Sequence, residues 1–257
     1  MMNLFRLEFR RLIRAKSFYI CTVIALVMIL ISAATNKLVL NMAASEEMPE
    51  AFSAMIQAPT ALSMLKTTVS SSFTMVLAIF LSIFVTEDYA GDIIKNFYAK
   101  GNSRDSVFVS KYVAAITASV VMVVVCGLFS FAAGKVLFGE YGTAGNNYVG
   151  SLLVQFLILL SYATLYFAIA ISIKKTGASI AISIIGPLVV SLLLSLGNAA
   201  IKSEEINLTE YWIDGRLAIL QQANVAWTDV WVGIIVGGVV LLIAGISAFF
   251  INNNSEQ

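Results

Sequence analysis

Residues 149–200 read VGSLLVQFLILLSYATLYFAIAISIKKTGASIAISIIGPLVVSLLLSLGNAA. Two apolar runs, Val149–Ile173 and Ala178–Ala200, flank Lys174-Lys175-Thr176-Gly177. A helix that crosses a bilayer needs about 20 mainly apolar residues, and each run meets that length. The stretch therefore predicts two spanning helices joined by a very short basic turn.

Four further runs have the same character, near Phe18–Lys37, Thr67–Thr86, Phe108–Lys135 and Val230–Ile251. Composition agrees: of 257 residues, 59% are hydrophobic and 12% charged, where soluble domains are about 45–50% apolar and about 25% charged. Mean hydropathy is +0.89. The predicted class is an all-α polytopic membrane protein with six transmembrane helices. It forms one membrane domain over residues 1–257, without a separate soluble domain.

The same composition removes several activities. The chain has no histidine, so a His-dependent triad, a His-ligated zinc site and a His-held haem are excluded. A net charge of +1 gives no basis for nucleic-acid binding. Cys21 and Cys126 both lie in apolar runs and read as small hydrophobes.

Orientation follows from the placement of Lys and Arg. With the N-terminus inside, the inner segments hold Arg6, Arg10, Arg11, Arg14, Lys16, Lys95, Lys100, Arg104, Lys111, Lys174 and Lys175, which is 11 of the 16 basic residues. The outer side keeps Lys37, Lys66, Lys135, Lys202 and Arg216, with nine of the 15 acids. Both ends are expected inside. Tyr141, Tyr148, Trp212, Trp227 and Trp231 suit an outer interfacial belt. Ser32-Ala33-Ala34 could pass as a signal-peptide cleavage site. The helix-like basic region before it, and the even count of six, favour an uncleaved first span.

Outside the spans, the N-terminal segment (1–17) carries Phe5, Phe9, Leu12 and Ile13 at helical spacing, with Arg6, Arg10 and Arg14 along another face. That pattern predicts an amphipathic helix lying in the inner headgroup layer. The inner segment 87–107 is densely charged with both signs. Yet it carries Ile93, Ile94, Phe97 and Tyr98, which form one helical stripe. A short helix of this kind suits docking into a partner's groove. The plainer reading rests it on the membrane or on its own bundle. The outer segment 201–229 holds acids and Trp212.

Hydroxyls recur within the spans. Thr67, Ser71, Thr74 and Ser82 fall within an arc of about 60–100° on the second run. On the fifth, Ser179, Ser183, Ser191 and Ser195 step by fours around Pro187. Close helix packing is the plainer role. A weakly polar translocation path or a permease–permease interface is the functional one, with Pro187 kinking or loosening its helix. Gly233-x-x-x-Gly237 in the last run allows close helix approach. No charged residue sits at the centre of any run, which argues against a proton- or sodium-coupled carrier.

Glu87-x-x-x-Gly91, then Lys95-Asn96, Gly101, Arg104 and Ser110-Lys111, resembles the inner-loop pattern of ABC-2-type transporter permeases. The common form has an aromatic residue directly after the Glu, where this chain has Asp88-Tyr89, and Thr where it has Asp92. The six-span layout and the amphipathic start are similar too, over nearly the whole chain. The resemblance implies a bacterial cytoplasmic-membrane exporter subunit of the drug-efflux or bacteriocin-immunity type. Glu87, Gly91, Lys95, Phe97, Tyr98, Gly101, Arg104 and Lys111 would form the coupling region, seated on a separate ABC ATPase. ATP and Mg would be bound by that partner. This chain carries no phosphate-loop motif of its own, and no cofactor of its own is implied. A second permease copy, or a related chain, would complete the transporter within the lipid bilayer.

Two other classes remain in view. A non-transporting membrane sensor or assembly scaffold would use the outer segment. An intramembrane enzyme lacks any active site that these residues could build.

Overall fold

The computed structural model describes residues 2–44, 59–90, 101, 103–201 and 207–254. Helix α1 spans Met2–Arg14 and α2 Lys16–Ala44; a short α3, Ala61–Lys66, precedes α4, Ser71–Ala90. Then come α5, Arg104–Phe138, α6, Tyr148–Ile173, and α7, Thr176–Ile201. A 3-10 turn, Leu208–Tyr211, leads into α8, Ile213–Leu220, and α9, Trp227–Asn254, ends the described chain. There is no strand among the described residues. Six of these helices, α2, α4, α5, α6, α7 and α9, are long and apolar enough to cross a membrane. Without water in a hydrocarbon core every backbone N–H and C=O needs an internal partner, which continuous helices supply.

The spans are not equivalent. The most apolar windows of α4 and α6 are 67% and 61% buried, whereas those of α7, α2 and α9 are 11%, 17% and 17% buried. So α4 and α6 form the centre and the others surround it. Phe80 and Phe84 of α4 stack with ring centroids 5.7 Å apart, and Phe18 of α2 meets Phe80 edge-on at 5.5 Å. Phe108 and Tyr112 of α5 meet Phe167 of α6 at 5.7 and 5.2 Å. On α9, Gly233 and Gly237 are buried against α6. A Cβ at Gly233 would lie 2.7 Å from Val154 Cγ1, and one at Gly237 would lie 3.3 Å from Leu157 Cγ. This Gly-x-x-x-Gly face packs inside one chain.

Several boundaries depart from the hydropathy reading: the first span runs on to Ala44, past Lys37, the second to Ala90, past Thr86, and two starts also move. The second span starts at Ser71, not near Thr67. Thr67 is the C-cap of α3, and the chain turns at 67–70 before the Ser70 hydroxyl caps α4 by accepting from Phe73 N at 3.4 Å. Thr67 therefore leaves the hydroxyl stripe of that span. The third span starts at Arg104, where Ser103 accepts from Ser106 N at 3.3 Å as the N-cap.

The outer connections fold back into the bundle, and a row of hydrogen bonds holds them there. Ser130 of α5 donates to Met64 O at 2.7 Å, and Tyr148 of α6 donates to Leu62 O at 2.9 Å. Gln155 of α6 donates to Leu220 O at 3.0 Å, and Gln221 to Val69 O at 2.5 Å. Ile213, Leu217 and Leu220 of α8 join the main core. Trp212 is half-buried against the core, whereas Tyr141, Trp227 and Trp231 are exposed.

Lys66 is 2% exposed. Its ammonium donates to the Gln222 carbonyl and sits 5.8 Å from the centre of the Tyr148 ring. Burial pushes its pKa below the ordinary 10.5. The folded chain then releases this proton at lower pH than the unfolded chain. Stability should rise with pH between the folded value and 10.5, by at most about 1.4 kcal/mol per pH unit. Lys66→Met should flatten that slope in thermal unfolding followed across the alkaline range. Equal slopes for the two proteins would show that this lysine is not desolvated.

Candidate functional site

Two places bring together residues of the kinds singled out in the sequence. The first is the inner end of the bundle. At 100° per residue, α1 divides into three faces. Leu4, Glu8 and Leu12 are buried, Phe9 and Ile13 are exposed, and Arg6, Arg10 and Arg14 follow a third line. Leu12 thus joins the protein core instead of the lipid-facing stripe with Phe9 and Ile13. The buried face carries charge inward. Asp88, in the last turn of α4, accepts from the Arg11 guanidinium and pairs with Lys111 Nζ at 2.5 Å. Lys111 also donates to Val85 O at 2.7 Å, and Arg11 pairs with Glu8 at 3.3 Å.

Asp88 and Lys111 are almost wholly buried, whereas Arg11 keeps 23% of its side chain exposed. Burial pushes the Glu8 carboxyl up despite the Arg11 charge beside it. Burial lowers the Arg11 pKa, but Asp88 together with Glu8 and Glu87 holds it above its ordinary value. One carboxylate therefore ties α1, α4 and α5 together immediately before the inner segment. Tyr89 covers this node, with its ring centre 5.1 Å from Lys111 Nζ and 5.5 Å from Lys174 Nζ.

The coupling residues expected from sequence divide accordingly. Glu87 is exposed and lines a groove of about 410 Å³ with Arg10, Arg11 and Arg14. Lys111 is sealed inside against Asp88. Gly101 has φ +79° with open space around it, so glycine is set there by the backbone alone. Arg104 is exposed at the start of α5. Gly91, Lys95, Phe97 and Tyr98 lie outside the described residues. Asp88 went unassigned in the sequence reading. Its one signal was a carboxylate where the common pattern has an aromatic residue.

The second place is a cavity of about 140 Å³ between α4, α6, α7 and α8, lined by Ser71, Thr74, Tyr166, Ser183, Pro187 and Ser191 among others. It gathers five of the seven residues expected on a path or interface. Ser82 is separate: it accepts from Ser179 at 2.9 Å in the α4–α7 seam, next to Thr86–Thr176 at 2.7 Å. That seam is helix packing. Thr67 is at the end of α3, away from this cavity.

Six helices long and apolar enough to cross a membrane give the layout of a polytopic membrane protein. The family described as "ABC-2 family transporter protein" matches residues 4–191. The chain belongs to this family. As an ABC-2 family member it is a multi-pass membrane protein and a permease subunit of an ABC transporter, a class that works with ABC ATPase subunits. The matched stretch runs from α1 through the α7 hydroxyls, so it includes the node; α8 and α9 lie beyond it. Comparison with curated proteins gives no match, and comparison with solved structures gives none.

Proposed function

We propose that this ABC-2 permease exports a hydrophobic or amphipathic cargo (drug, antimicrobial peptide or lipid) across the bacterial cytoplasmic membrane. Separate ATPase subunits would hydrolyse ATP with Mg, and this chain would do no chemistry. A second copy or a related permease chain would complete the pathway. The observation that carries this reading is the Asp88 node. It makes α1, α4 and α5 one mechanical unit at the two ends of the inner segment, so closure of an ATPase dimer against that segment would move three helices together.

In this reading Glu87, Gly91, Lys95, Phe97, Tyr98, Gly101 and Arg104 meet the ATPase, and Asp88 and Lys111 transmit the displacement. The sensor or scaffold alternative would present the outer segment to a partner. Burial of Ile213, Leu217 and Leu220 leaves that segment less free surface than such a role needs.

Co-expression with a candidate ABC ATPase subunit, followed by purification in nanodiscs, tests the reading. Wild type should co-elute with the ATPase and alter its turnover. Phe97→Asp combined with Arg104→Glu should abolish both while the permease stays folded. A wild-type chain that neither co-elutes nor changes turnover would remove the exporter reading.

A further inference from the structure

The hydroxyl cavity contains one charged group, and it arrives from outside the spans. Asp214, in the first turn of α8, lines the cavity beside Ser183, Ser191 and Tyr166. Its carboxylate accepts from the Tyr162 hydroxyl, from Ser191 Oγ at 3.3 Å and from Trp212 Nε1 at 3.1 Å. Tyr162 lies roughly 21 Å along α6 from its outer start, counted at 1.5 Å per residue. The loop therefore carries a carboxylate toward the middle of the bundle, where none of the runs places a charge.

The three donors are all neutral. A carboxylate offers about four acceptor positions, so one remains open, and no cationic side chain among the described residues is paired with it. Facing the same cavity, Ser183 Oγ is fully buried and has no hydrogen-bond partner. Pro187, one turn along α7, has no N–H to give to the Ser183 carbonyl. The wall thus offers a carboxylate with an open acceptor position and an unpaired hydroxyl.

Open acceptors beside a negative charge select a cation that donates hydrogen bonds. A divalent metal fits this lining poorly, because Asp214 is its one carboxylate and the other side-chain oxygens are neutral hydroxyls. The remaining lining includes Met75, Ile184 and Leu188, and Leu188 is exposed on the outer face of α7. The space corresponds to about five waters at about 30 Å³ each, enough for a charged head and a few carbons.

We propose that this cavity binds the primary ammonium group of an amphipathic cation, with Asp214 as its counter-ion. The assignment rests on the exporter reading for its meaning as a cargo site, and it specifies the charge of the cargo. The apolar part of such a ligand extends past Ile184 and Leu188 toward lipid.

The test is equilibrium dialysis of the full chain in zwitterionic nanodiscs, against empty discs, without any ATPase. The probes are 2-phenylethylammonium and the uncharged 2-phenylethanol, matched in size. Wild type should bind the ammonium saturably and prefer it to the alcohol by about tenfold or more. Asp214→Asn should lose that preference, and Glu140→Gln, in an outer loop away from the cavity, should keep it. Ser183→Val narrows the cavity without touching the carboxylate and should weaken binding by a similar factor, which covers the case of a misfolded Asp214 variant. Equal binding of the two probes by wild type overturns the proposal without recourse to any variant. Wild-type affinity in a folded Asp214→Asn or Ser183→Val protein overturns it as well. Ammonium binding that persists while the chain fails to engage an ATPase would sink the exporter reading alone.

Discussion

Asp88→Asn is expected to destabilise the protein by about 3–5 kcal/mol and to free α1 from the inner end of the bundle. The carboxylate is the shared partner of Arg11 and Lys111. Without that negative charge, Lys111 keeps only neutral partners, the Val85 carbonyl, the Tyr89 ring and an amide oxygen, in a position that water hardly reaches. An ammonium left buried and unpaired is the costly state; the pair itself contributes far less. Asp88→Leu combined with Lys111→Met should therefore recover most of the loss. Arg11→Gln should cost less than Asp88→Asn, because Arg11 is partly solvated and water screens its pair. Thermal unfolding in detergent gives the stabilities, and tryptic cleavage at Arg6, Arg10 and Arg14 reports release of α1. An Asp88→Asn protein that melts with wild type and resists trypsin equally would mean that the node does not hold α1.

Gly233→Leu should be the most damaging single change on α9, at about 3 kcal/mol, the upper end for overpacking a close interface. Even a Cβ meets Val154 Cγ1 at 2.7 Å and Leu220 Cδ1 at 3.4 Å, so the added carbons must wedge α9 away from α6. The neighbouring Ser161–Gly237 hydrogen bond, 2.7 Å, depends on the same approach of the two helices. Gly238→Leu is the matched control, since nothing lies within 4 Å of its Cβ direction, and it should melt close to wild type. Equal losses at the two positions would mean that the close approach at Gly233 is not what the change disturbs. A Gly233→Leu protein that stays folded but loses a permease partner would move this face to an interface between chains.

Hydropathy alone determined the six spans, because a bilayer imposes about 20 apolar residues on each crossing and leaves no other way to satisfy the backbone. The same one-dimensional signals marked the amphipathic first helix and, from the spacing of Ser183, Pro187 and Ser191, one wall of the cavity. A helix face can be read from spacing because every fourth residue returns to the same side. Start points were less legible: Thr67 is a small polar residue beside an apolar run, and only the burial of Lys66 under residue 222 shows that the chain must turn there.

The tertiary structure decided which charges meet. Arg11 and Asp88 are 77 residues apart, and Tyr162 and Asp214 are 52 apart. No periodicity links such pairs, since each depends on how one helix is rotated against another. Asp214 lies in a segment that reads as an outer loop, yet Gln155 and a row of buried Ile and Leu side chains draw α8 inward. The sequence thus determined how often the chain crosses the membrane. Packing of the crossings and their loops determined where the few charges lie within it, because in a low-dielectric interior a charge persists only where distant partners can reach it.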